Sequence, residues 1–415
     1  MHERTPHTDA SFYGLGIAPK LLESLDRLKF TTPTPIQQKA IPIAIAGTDV
    51  IGIAQTGTGK TLAFGIPMIQ RLAQVKGKGL VILPTRELAL QVDEVYQKLG
   101  RSLGLRTAVL IGGASMERQV QMIRKNPHVI IGTPGRIIDH LNQRTLAISA
   151  VSILVLDEAD RMLDMGFAPQ IQRILQTVPK DRQTMLFSAT MPNDIVRIAT
   201  AHMKLPVRVE IAPAGTAAER VAHELFVVRK DQKNRLLEKM LLEYHGTVLV
   251  FCRTKFGARR LARAVRGMDQ SGAEIHSDRS LAQRREALDG FKAGKYRVLV
   301  ATDIAARGID VVGIELVVNY DLPDNPEDYV HRIGRTGRAG RTGRAISFAT
   351  PEQKNEVRDI ERIVRLALPI SKLPELPPAR EPQFTAPRPY GGSSPRGSFQ
   401  GRRPPPRSGR GSRRW

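Results

Sequence analysis

The feature that most constrains this chain is the segment at residues 54–61, which reads AQTGTGKT. It lies between an apolar run at 50–53 and a helix-like run at 62–66. Gly57 and Gly59 let the backbone turn tightly so that several N–H groups point inward, and the start of a helix adds partial positive charge. A strand, such a turn and a Lys-Thr pair that opens a helix are typical of a phosphate-binding loop.

The loop predicts roles for its polar residues. Lys60 would neutralise the β- and γ-phosphates of a nucleotide, and the Thr61 hydroxyl would hold Mg²⁺. The remaining loop residues would surround the phosphates: Gln55, Thr56, Gly57, Thr58 and Gly59. The strict pattern has glycine where this chain has Ala54, so an ordinary glycine-rich turn is the alternative for this segment alone.

An acidic pair after a second buried strand favours the nucleotide interpretation. Residues 153–156 form a continuous apolar run, as a strand covered on both faces should, and Asp157-Glu158-Ala159-Asp160 follows it directly. Asp157 can hold a metal through water, and Glu158 can orient and deprotonate an attacking water. Acidic pairs after strands also occur as plain surface features, but the phosphate loop makes that alternative the weaker one.

Strand-like and helix-like segments alternate through the first half of the chain. Apolar runs lie at 80–83, 107–111, 129–131, 153–156 and 184–187, with amphipathic stretches such as 87–99 between them. This alternation predicts an α/β fold with a mostly parallel sheet and helices on both faces. Ligands of such sheets bind beyond the carboxyl ends of the strands, so the turns after these strands should share one rim with the phosphate loop.

A second alternating block begins near residue 224 and echoes the first. Residues 246–254 repeat the pattern of 79–85, and residues 298–302 resemble 129–133, which suggests two copies of one fold. The second copy has no GK[ST] loop, so one nucleotide is expected. We predict an N-terminal domain at 1–206, a linker at 207–222, a C-terminal domain at 223–372 and a tail at 373–415.

The net charge of +23 and the pI near 10.5 favour a polyphosphate partner. Nucleic acid is the expected partner, and a cationic surface kept for solubility is the alternative. The tail beyond residue 382 contains eight arginines and no acid. We expect it to be disordered and to contact phosphates and bases, unless it is a low-complexity tail with no specific partner.

Three observations bear on location. No apolar run is long enough to span a bilayer, and the N-terminus lacks the apolar core of a secretion signal. Cys252 is the only cysteine and lies in an apolar run, so it is most simply a buried small residue. These features predict a cytoplasmic protein with no membrane partner.

Eight motifs, in order, resemble those of the DEAD-box ATP-dependent RNA helicases, and the match covers roughly residues 12–370. They are PTPIQ at 33–37, AQTGTGKT at 54–61, PTREL at 84–88, TPGR at 133–136, DEAD at 157–160, SAT at 188–190, ATDIAARGID at 301–310 and HRIGRTGR at 331–338. Within the family the wording is most similar to the bacterial RhlE-type branch. The resemblance implies two tandem RecA-like domains that close around one ATP, with its Mg²⁺, and one RNA strand, in a core we expect to be monomeric.

The resemblance also implies nucleotide contacts. Phe30 would stack on adenine and Gln37 would read its edge, while Gly308 and Asp310 would contact the nucleotide, Asp310 at the ribose. The second domain would supply Arg335 and Arg338 as arginine fingers, whose planar cations suit the charge of a γ-phosphoryl in transition; a plain basic patch is the alternative for that run. With Lys60 in one domain and the fingers in the other, the site is complete only when the domains close.

The family's RNA surface maps onto both domains of this chain. It comprises Pro84, Thr85, Arg86, Gly113, Thr133, Gly135 and Arg136 in the first domain, and Arg253, Arg284 and Thr302 in the second. Contacts of this kind hold phosphates and 2′-OH groups and would favour RNA over DNA. The residues resembling those that link nucleotide state to RNA grip are Asp160, Ser188, Thr190 and His331.

Two positions depart from the family pattern. Lys29 stands where glycine usually precedes the aromatic of the adenine motif, and Leu281 stands where glutamine is frequent beside Arg284.

We predict an ATP-dependent RNA helicase that couples hydrolysis to local, non-processive unwinding or ribonucleoprotein remodelling. An ATP-gated RNA clamp or annealing chaperone shares every motif, and a DNA translocase is the third alternative. By the resemblance, ribosome biogenesis, mRNA decay and cold adaptation are all compatible processes, and ribonucleoprotein or RNA-decay complexes are compatible partners.

Overall fold

The computed structural model describes residues 11–55, 57–211, 221–306, 311, 314–337 and 343–378. These residues form two wholly parallel sheets, one of seven strands and one of six. We call the part that surrounds the first sheet, residues 11–211, the first lobe, and the part that surrounds the second sheet, residues 221–377, the second lobe. Both lobes belong to one compact unit.

The first sheet has the spatial order β3-β4-β2-β5-β6-β1-β7. Its strands are β1 (Val50–Ile53), β2 (Lys78–Ile82), β3 (Thr107–Leu110), β4 (Val129–Gly132), β5 (Val151–Leu156), β6 (Gln183–Ser188) and β7 (Val207–Glu210). The helices are α1 (Pro19–Arg27), α2 (Pro35–Ile45), α3 (Lys60–Leu72), α4 (Arg86–Gly100), α5 (Met116–Arg124), α6 (Pro134–Asn142), α7 (Ala159–Asp164), α8 (Ala168–Thr177) and α9 (Asn193–His202).

Successive residues of a strand point to opposite faces of the sheet, so the apolar runs bury both sides. On one face Val81 and Val155 pack with Phe64 of α3 and Tyr96 of α4. On the other face Leu80, Leu154 and their neighbours pack with the apolar sides of α6, α8 and α9. The predicted α/β architecture of the first lobe is therefore confirmed.

The second sheet has the spatial order β10-β11-β9-β12-β13-β8. Its strands are β8 (Val221–Val227), β9 (Val248–Phe251), β10 (Gly272–Ile275), β11 (Val298–Ala301), β12 (Leu316–Asn319) and β13 (Gly343–Ala349). The helices are α10 (Lys233–Glu243), α11 (Lys255–Gly267), α12 (Leu281–Lys292), α13 (Asp303–Ala306), α14 (Pro326–Ile333) and α15 (Lys354–Val364). Helices α10 and α11 pack on one face of this sheet and α12 on the other, and Cys252 is buried.

The boundaries between the predicted segments shift in the structure. Residues 207–210 form β7 beside β1, and β8 begins at Val221, so only 211–220 connect the sheets, of which 212–220 lie outside the described residues. The predicted tail start at 373 falls inside a packed stretch, because Leu373 and Leu376 lie against the α10 side of the second core. Arg235 holds this stretch by donating to the carbonyl of Pro377 at 2.5 Å.

Residues 379–415, which include the predicted arginine-rich tail, lie outside the described residues. Among the helices of the described ranges, none combines the length and the apolar character that a bilayer-spanning helix requires.

Candidate nucleotide and RNA site

The phosphate loop has the backbone that its glycines predicted. Gly57 and Gly59 have φ values of 85° and 89°, in the left-handed region, and Lys60 opens α3 directly after them. A Cβ at Gly59 would lie 2.3 Å from the Gln37 side-chain nitrogen, so a larger residue would not fit there. The Lys60 ammonium is buried and donates to the Ala54 carbonyl at 3.0 Å, which holds it inside the loop. Thr56 lies outside the described residues.

Gln37 ties the adenine motif to this loop. Its Nε2 donates to the Gly59 carbonyl at 3.0 Å, and its Oε1 accepts from the Thr34 backbone N–H at 2.9 Å as part of a capping box. An amide side chain has two N–H donors and two acceptor lone pairs, so each end retains capacity for one further bond. Adenine recognition by Gln37 stays a prediction.

Phe30 is 41% exposed, which leaves its ring accessible for stacking. The preceding Lys29 has φ +62°, the left-handed conformation that glycine adopts without strain. A glycine here would adopt this turn without strain, whereas this chain adopts it with a lysine.

The two acidic residues at the end of β5 have opposite electrostatic characters. Burial raises the pKa of Asp157 to about 7, although Lys60 opposes the shift. Burial alone would also raise the pKa of Glu158, but Arg161 and Lys60 outweigh that effect and lower the pKa to about 2. Glu158 is thus ionised at neutral pH, whereas the surroundings of Asp157 disfavour its ionised form.

The Glu158 backbone is strained, and an ion pair fixes its carboxylate. Its backbone has φ +51°, which is uncommon for a residue with a side chain, and its carboxylate accepts from the Arg161 guanidinium at 2.5 Å. Arg161 is buried on α7. The only signal for it in the sequence was its spacing of three residues from Glu158.

Asp160 joins α7 to the end of β6. One of its carboxylate oxygens accepts from the backbone N–H groups of Ala189 and Thr190, at 3.0 and 2.8 Å, and from the Thr190 hydroxyl at 2.9 Å. Its own N–H donates to the Ser188 hydroxyl at 3.1 Å. The structure thus brings together three of the four predicted coupling residues, Asp160, Ser188 and Thr190.

The fourth coupling residue, His331, and the predicted finger Arg335 come from the second lobe. One small gap is lined by Lys60, Glu158, Asp160, Arg161, Ala189, His331 and Arg335. Arg335 is buried and its charge contributes to the low pKa of Glu158. Gly337 has φ +66°, consistent with the tight loop expected there. Arg338, Gly308 and Asp310 lie outside the described residues.

The first arginine of the HRIGRTGR run has a different role. Arg332 is 1% exposed and donates to both carboxylate oxygens of Asp303, at 2.6 and 2.7 Å. It also donates to Asn319 and to the Asp321 carbonyl. Arg332 therefore anchors α14 to the sheet, a role that the sequence run did not reveal.

The predicted RNA residues of the first lobe follow three adjacent strands. Those after β2 are Pro84, Thr85 and Arg86, Gly113 follows β3, and Thr133, Gly135 and Arg136 follow β4. Thr85 caps α4, and Arg136 donates to the Ala114 carbonyl at 3.0 Å. Gly113 has φ +74°, and a Cβ there would lie 2.3 Å from the Arg86 guanidinium. These residues form one rim at the carboxyl ends of the strands.

The predicted RNA residues of the second lobe differ in accessibility. Arg253 follows β9 and is exposed, and Thr302 follows the neighbouring strand β11. Arg284, in contrast, is buried and donates to the Glu87 carboxylate of the first lobe at 2.9 Å. Arg284 is therefore placed between the lobes in this arrangement, and its RNA contact stays a prediction.

The chain is similar to known proteins along most of its length. Residues 34–198 match the family model "DEAD/DEAH box helicase", and residues 232–340 match "Helicase conserved C-terminal domain". The DEAD-box ATP-dependent RNA helicase CshA of Geobacillus kaustophilus is 44% identical over 90% of this chain and 80% of its own length. The ATP-dependent rRNA helicase RRP3 of Debaryomyces hansenii is 42% identical over 86% of this chain and 76% of its own.

Two solved structures are similar along both lobes. Dbp5 of S. cerevisiae, bound to RNA and ADP BeF3, has a TM-score of 0.75 and 32% identity, over 86% of this chain and 92% of that chain. Mss116p without its NTE and C-tail, bound to ssRNA and AMP-PNP, has a TM-score of 0.80 and 26% identity, over 89% of this chain and 80% of that chain. The phosphate loop, the DEAD segment and the similarity along most of the chain lead to one conclusion: this chain belongs to the DEAD-box ATP-dependent RNA helicase family.

Proposed function

We propose that this protein is an RNA-stimulated ATPase that uses ATP hydrolysis to separate short RNA duplexes locally or to remodel ribonucleoproteins. The observation that carries the proposal is the shared gap in which Lys60 and Glu158 of the first lobe meet His331 and Arg335 of the second. Hydrolysis there depends on how the lobes are arranged, so RNA that favours this arrangement would accelerate it.

The residues divide the chemistry between them. Lys60 would neutralise the β- and γ-phosphates, and Arg335 would stabilise the charge that develops on the transferred γ-phosphoryl. Glu158 is ionised and would accept a hydrogen bond from the attacking water. A pKa of about 2 makes it a weak base, so we infer that orienting the water is its main contribution and that proton transfer comes late.

The residues also fit a magnesium ion. Carboxylate and hydroxyl oxygens are the hard ligands that Mg²⁺ prefers, and the ion usually takes one or two carboxylates together with water and substrate phosphates. Thr61 opens α3 beside Lys60, and Asp157 is a buried carboxylate whose raised pKa indicates that Lys60 compensates its charge only in part. We propose that these two residues hold the ion, which would neutralise phosphate charge.

RNA would bind along the rim formed by the carboxyl ends of β2, β3 and β4 and continue to Arg253 and Thr302. The solved relatives Dbp5 and Mss116p are bound to RNA and to ssRNA, which supports RNA as the partner of this site. If the closed lobes bind a bent single strand more tightly than an A-form duplex, that difference in binding free energy separates the strands. In the alternative function, an ATP-gated RNA clamp or annealing chaperone, RNA binding is what matters and ATP turnover is not required.

The decisive experiment measures strand release from a short RNA duplex. We expect ATP-dependent release by the wild type, and loss of release with Glu158→Gln although RNA binding persists. The double variant Arg335→Ala, Arg338→Ala should lower RNA-triggered ATP turnover by a factor of about 10³ or more. Turnover that survives this double substitution would refute the shared site, and equal stimulation by single-stranded DNA would favour a translocase.

We propose a cytoplasmic, monomeric enzyme of the RhlE-type branch that acts in ribosome biogenesis or mRNA decay; the motif wording supports the branch, and the basic composition supports RNA-rich surroundings. Sedimentation of the pure protein tests the monomer, and a phylogeny of the family tests the branch. Sequencing of RNA cross-linked to the protein in cells tests the process.

A further inference from the structure

A cationic helix face lies next to the proposed RNA path in the second lobe, and none of the residues assigned above belongs to it. Helix α11 reads KFGARRLARAVRG, with five basic residues and no acidic one. Its inner side is apolar, because Ala258, Leu261, Ala262 and Val265 pack into the core. The opposite side therefore presents its charges outward.

The outward residues follow a helical period. Phe256, Arg259, Arg260 and Arg263 stand at i, i+3, i+4 and i+7, which places them on one face of α11. All four are exposed, and Phe256 is 67% exposed. None of the three arginines forms a hydrogen bond or ion pair with another residue in the part of the chain that the structure describes. We call these four residues the α11 stripe.

A polar groove borders the stripe. Its volume is about 1020 Å³, just above the range of about 300–1,000 Å³ typical of ligand sites. Gly257 and Arg260 of α11 line it, together with Arg229 and Lys230 from the turn after β8. Lys230 and Arg260 have no carboxylate partner among the described residues, whereas Arg229 pairs with Asp231. The groove is thus polar and carries uncompensated positive charge.

The groove is continuous with the proposed RNA surface. Arg253 and Thr254 also line it, and they stand at the carboxyl end of β9 immediately before α11. The Lys255 ammonium lies 5.3 Å from the centre of the Phe256 ring and pairs with Asp278 at 2.8 Å, so it holds the first turn of the helix in place. An exposed ring beside unpaired arginines is the combination with which proteins bind single-stranded nucleic acid.

We propose that the α11 stripe and its groove bind the single-stranded RNA flank that extends beyond Arg253, with the arginines on phosphates and Phe256 stacked on a base. This inference rests on the proposed function, since it extends the RNA path of the same protein. The central RNA contacts would hold a short strand alone. The stripe would add affinity only for longer strands, and it would do so with little sequence preference.

The test compares RNA of about 6 and about 20 nucleotides, because a single-strand binding domain such as an OB fold covers about 4–16 nucleotides. In the triple variant Arg259→Ala, Arg260→Ala, Arg263→Ala we expect weaker binding of the longer RNA only. Each lost phosphate contact changes the slope of log K against log salt by about 0.7 for single strands, so the slope should become shallower by about 2. The thermal midpoint should not move, because the three side chains are exposed and unpaired.

Phe256 provides a second, independent measurement. Phe256→Ala should weaken binding of the longer RNA by about tenfold with an unchanged salt slope, since stacking releases no counterions. Phe256→Trp should restore it. A matched control removes three other exposed basic residues, Lys76, Arg144 and Lys180, which precede β2, β5 and β6 and so lie near the opposite rim of the first sheet. This control should leave the difference between the two RNA lengths intact.

The outcomes separate this inference from the proposed function. A wild type that binds neither RNA would overturn the proposed function itself. A wild type that binds both lengths, with stripe variants that lose nothing on the longer RNA, would overturn only the α11 assignment and leave the stripe to an acidic protein segment. A loss that is equal on both lengths would also overturn it, because the stripe would then act through the lobe as a whole.

Discussion

The Arg284 guanidinium of α12 donates to the Glu87 carboxylate of α4 at 2.9 Å, and this ion pair joins the second lobe to the first. Both side chains are buried, with 8% and 6% of their surface exposed. Leu281, one turn earlier on α12, packs against the core of the first lobe, where the family frequently has glutamine. A buried ion pair to the PTREL motif itself and an apolar contact therefore hold the lobes together.

Breaking this pair should weaken the contact between the two lobes that this structure shows. Removing one partner of a buried ion pair costs about 3–5 kcal/mol because the other charge stays buried. We expect Arg284→Ala to raise the RNA concentration needed for half-maximal ATPase by at least tenfold, and Glu87→Ala with Arg284→Ala to recover part of the loss. Arg285→Ala is the control, since Arg285 is exposed and, within the described ranges, its ion pair is with Asp289 of its own helix. A double variant worse than the single would contradict the pairing as the cause.

We expect the ionised Asp157 carboxylate to lower the stability of the fold while the ATPase activity requires it. Its folded pKa of about 7 exceeds the ordinary 3.8, so the folded protein binds this proton more tightly than the unfolded chain. Its contribution to the free energy of unfolding is complete below pH 3.8 and is lost as pH rises through 7. Asp157→Asn should remove that loss and raise the free energy of unfolding of the nucleotide-free protein by up to about 4 kcal/mol at pH 8, with little change near pH 4.

Chemical unfolding at the two pH values measures this difference, and ATPase assays should show that Asp157→Asn is inactive. A variant that is less stable than the wild type at pH 8 would show that the ionised carboxylate is stabilised in the fold.

The hydrogen bonds around the Asp160 carboxylate should tolerate loss of the Thr190 hydroxyl better than loss of the carboxylate charge. Thr190→Val removes a single hydroxyl bond, for which we expect about 1 kcal/mol of destabilisation. Asp160→Asn replaces the charged acceptor of three donors, and we expect at least twice that effect. Urea unfolding of both variants provides the comparison, and equal destabilisation would show that the carboxylate charge contributes nothing there.

Lys29 offers a test of backbone strain. A residue with a side chain in the left-handed region costs about 1–2 kcal/mol, whereas glycine adopts it freely. Lys29→Gly and Lys29→Ala both remove the lysine side chain, but only glycine relieves the turn. We expect the glycine variant to be the more stable by about 1 kcal/mol in thermal unfolding, and to bind ATP at least as well through Phe30. An alanine variant of equal stability would mean that the turn relaxes without strain.

Two truncations separate the tail from the packed stretch before it. Ending the chain after Pro377 should leave the thermal midpoint in place, raise the RNA KM and flatten its salt dependence, because it removes only the arginine-rich segment. Ending it after Ile370 also removes Leu373, Leu376 and the carbonyls bonded to Arg235, so the thermal midpoint should fall as well. An RNA KM that stays constant in the first truncation would show that the tail does not contribute to RNA binding.

The sequence by itself determined the two parallel sheets, the phosphate loop and the rim, because these depend on local features: apolar runs of strand length, glycines with φ near +85° and polar turns after each strand. Tertiary structure alone decided which charges meet. Arg284 and Glu87 are 197 positions apart, and Arg332, read in a basic run, is buried against Asp303. The sequence shows a charged residue in the same way whether its side chain faces water or a partner. Only the packing of distant segments decides between the two.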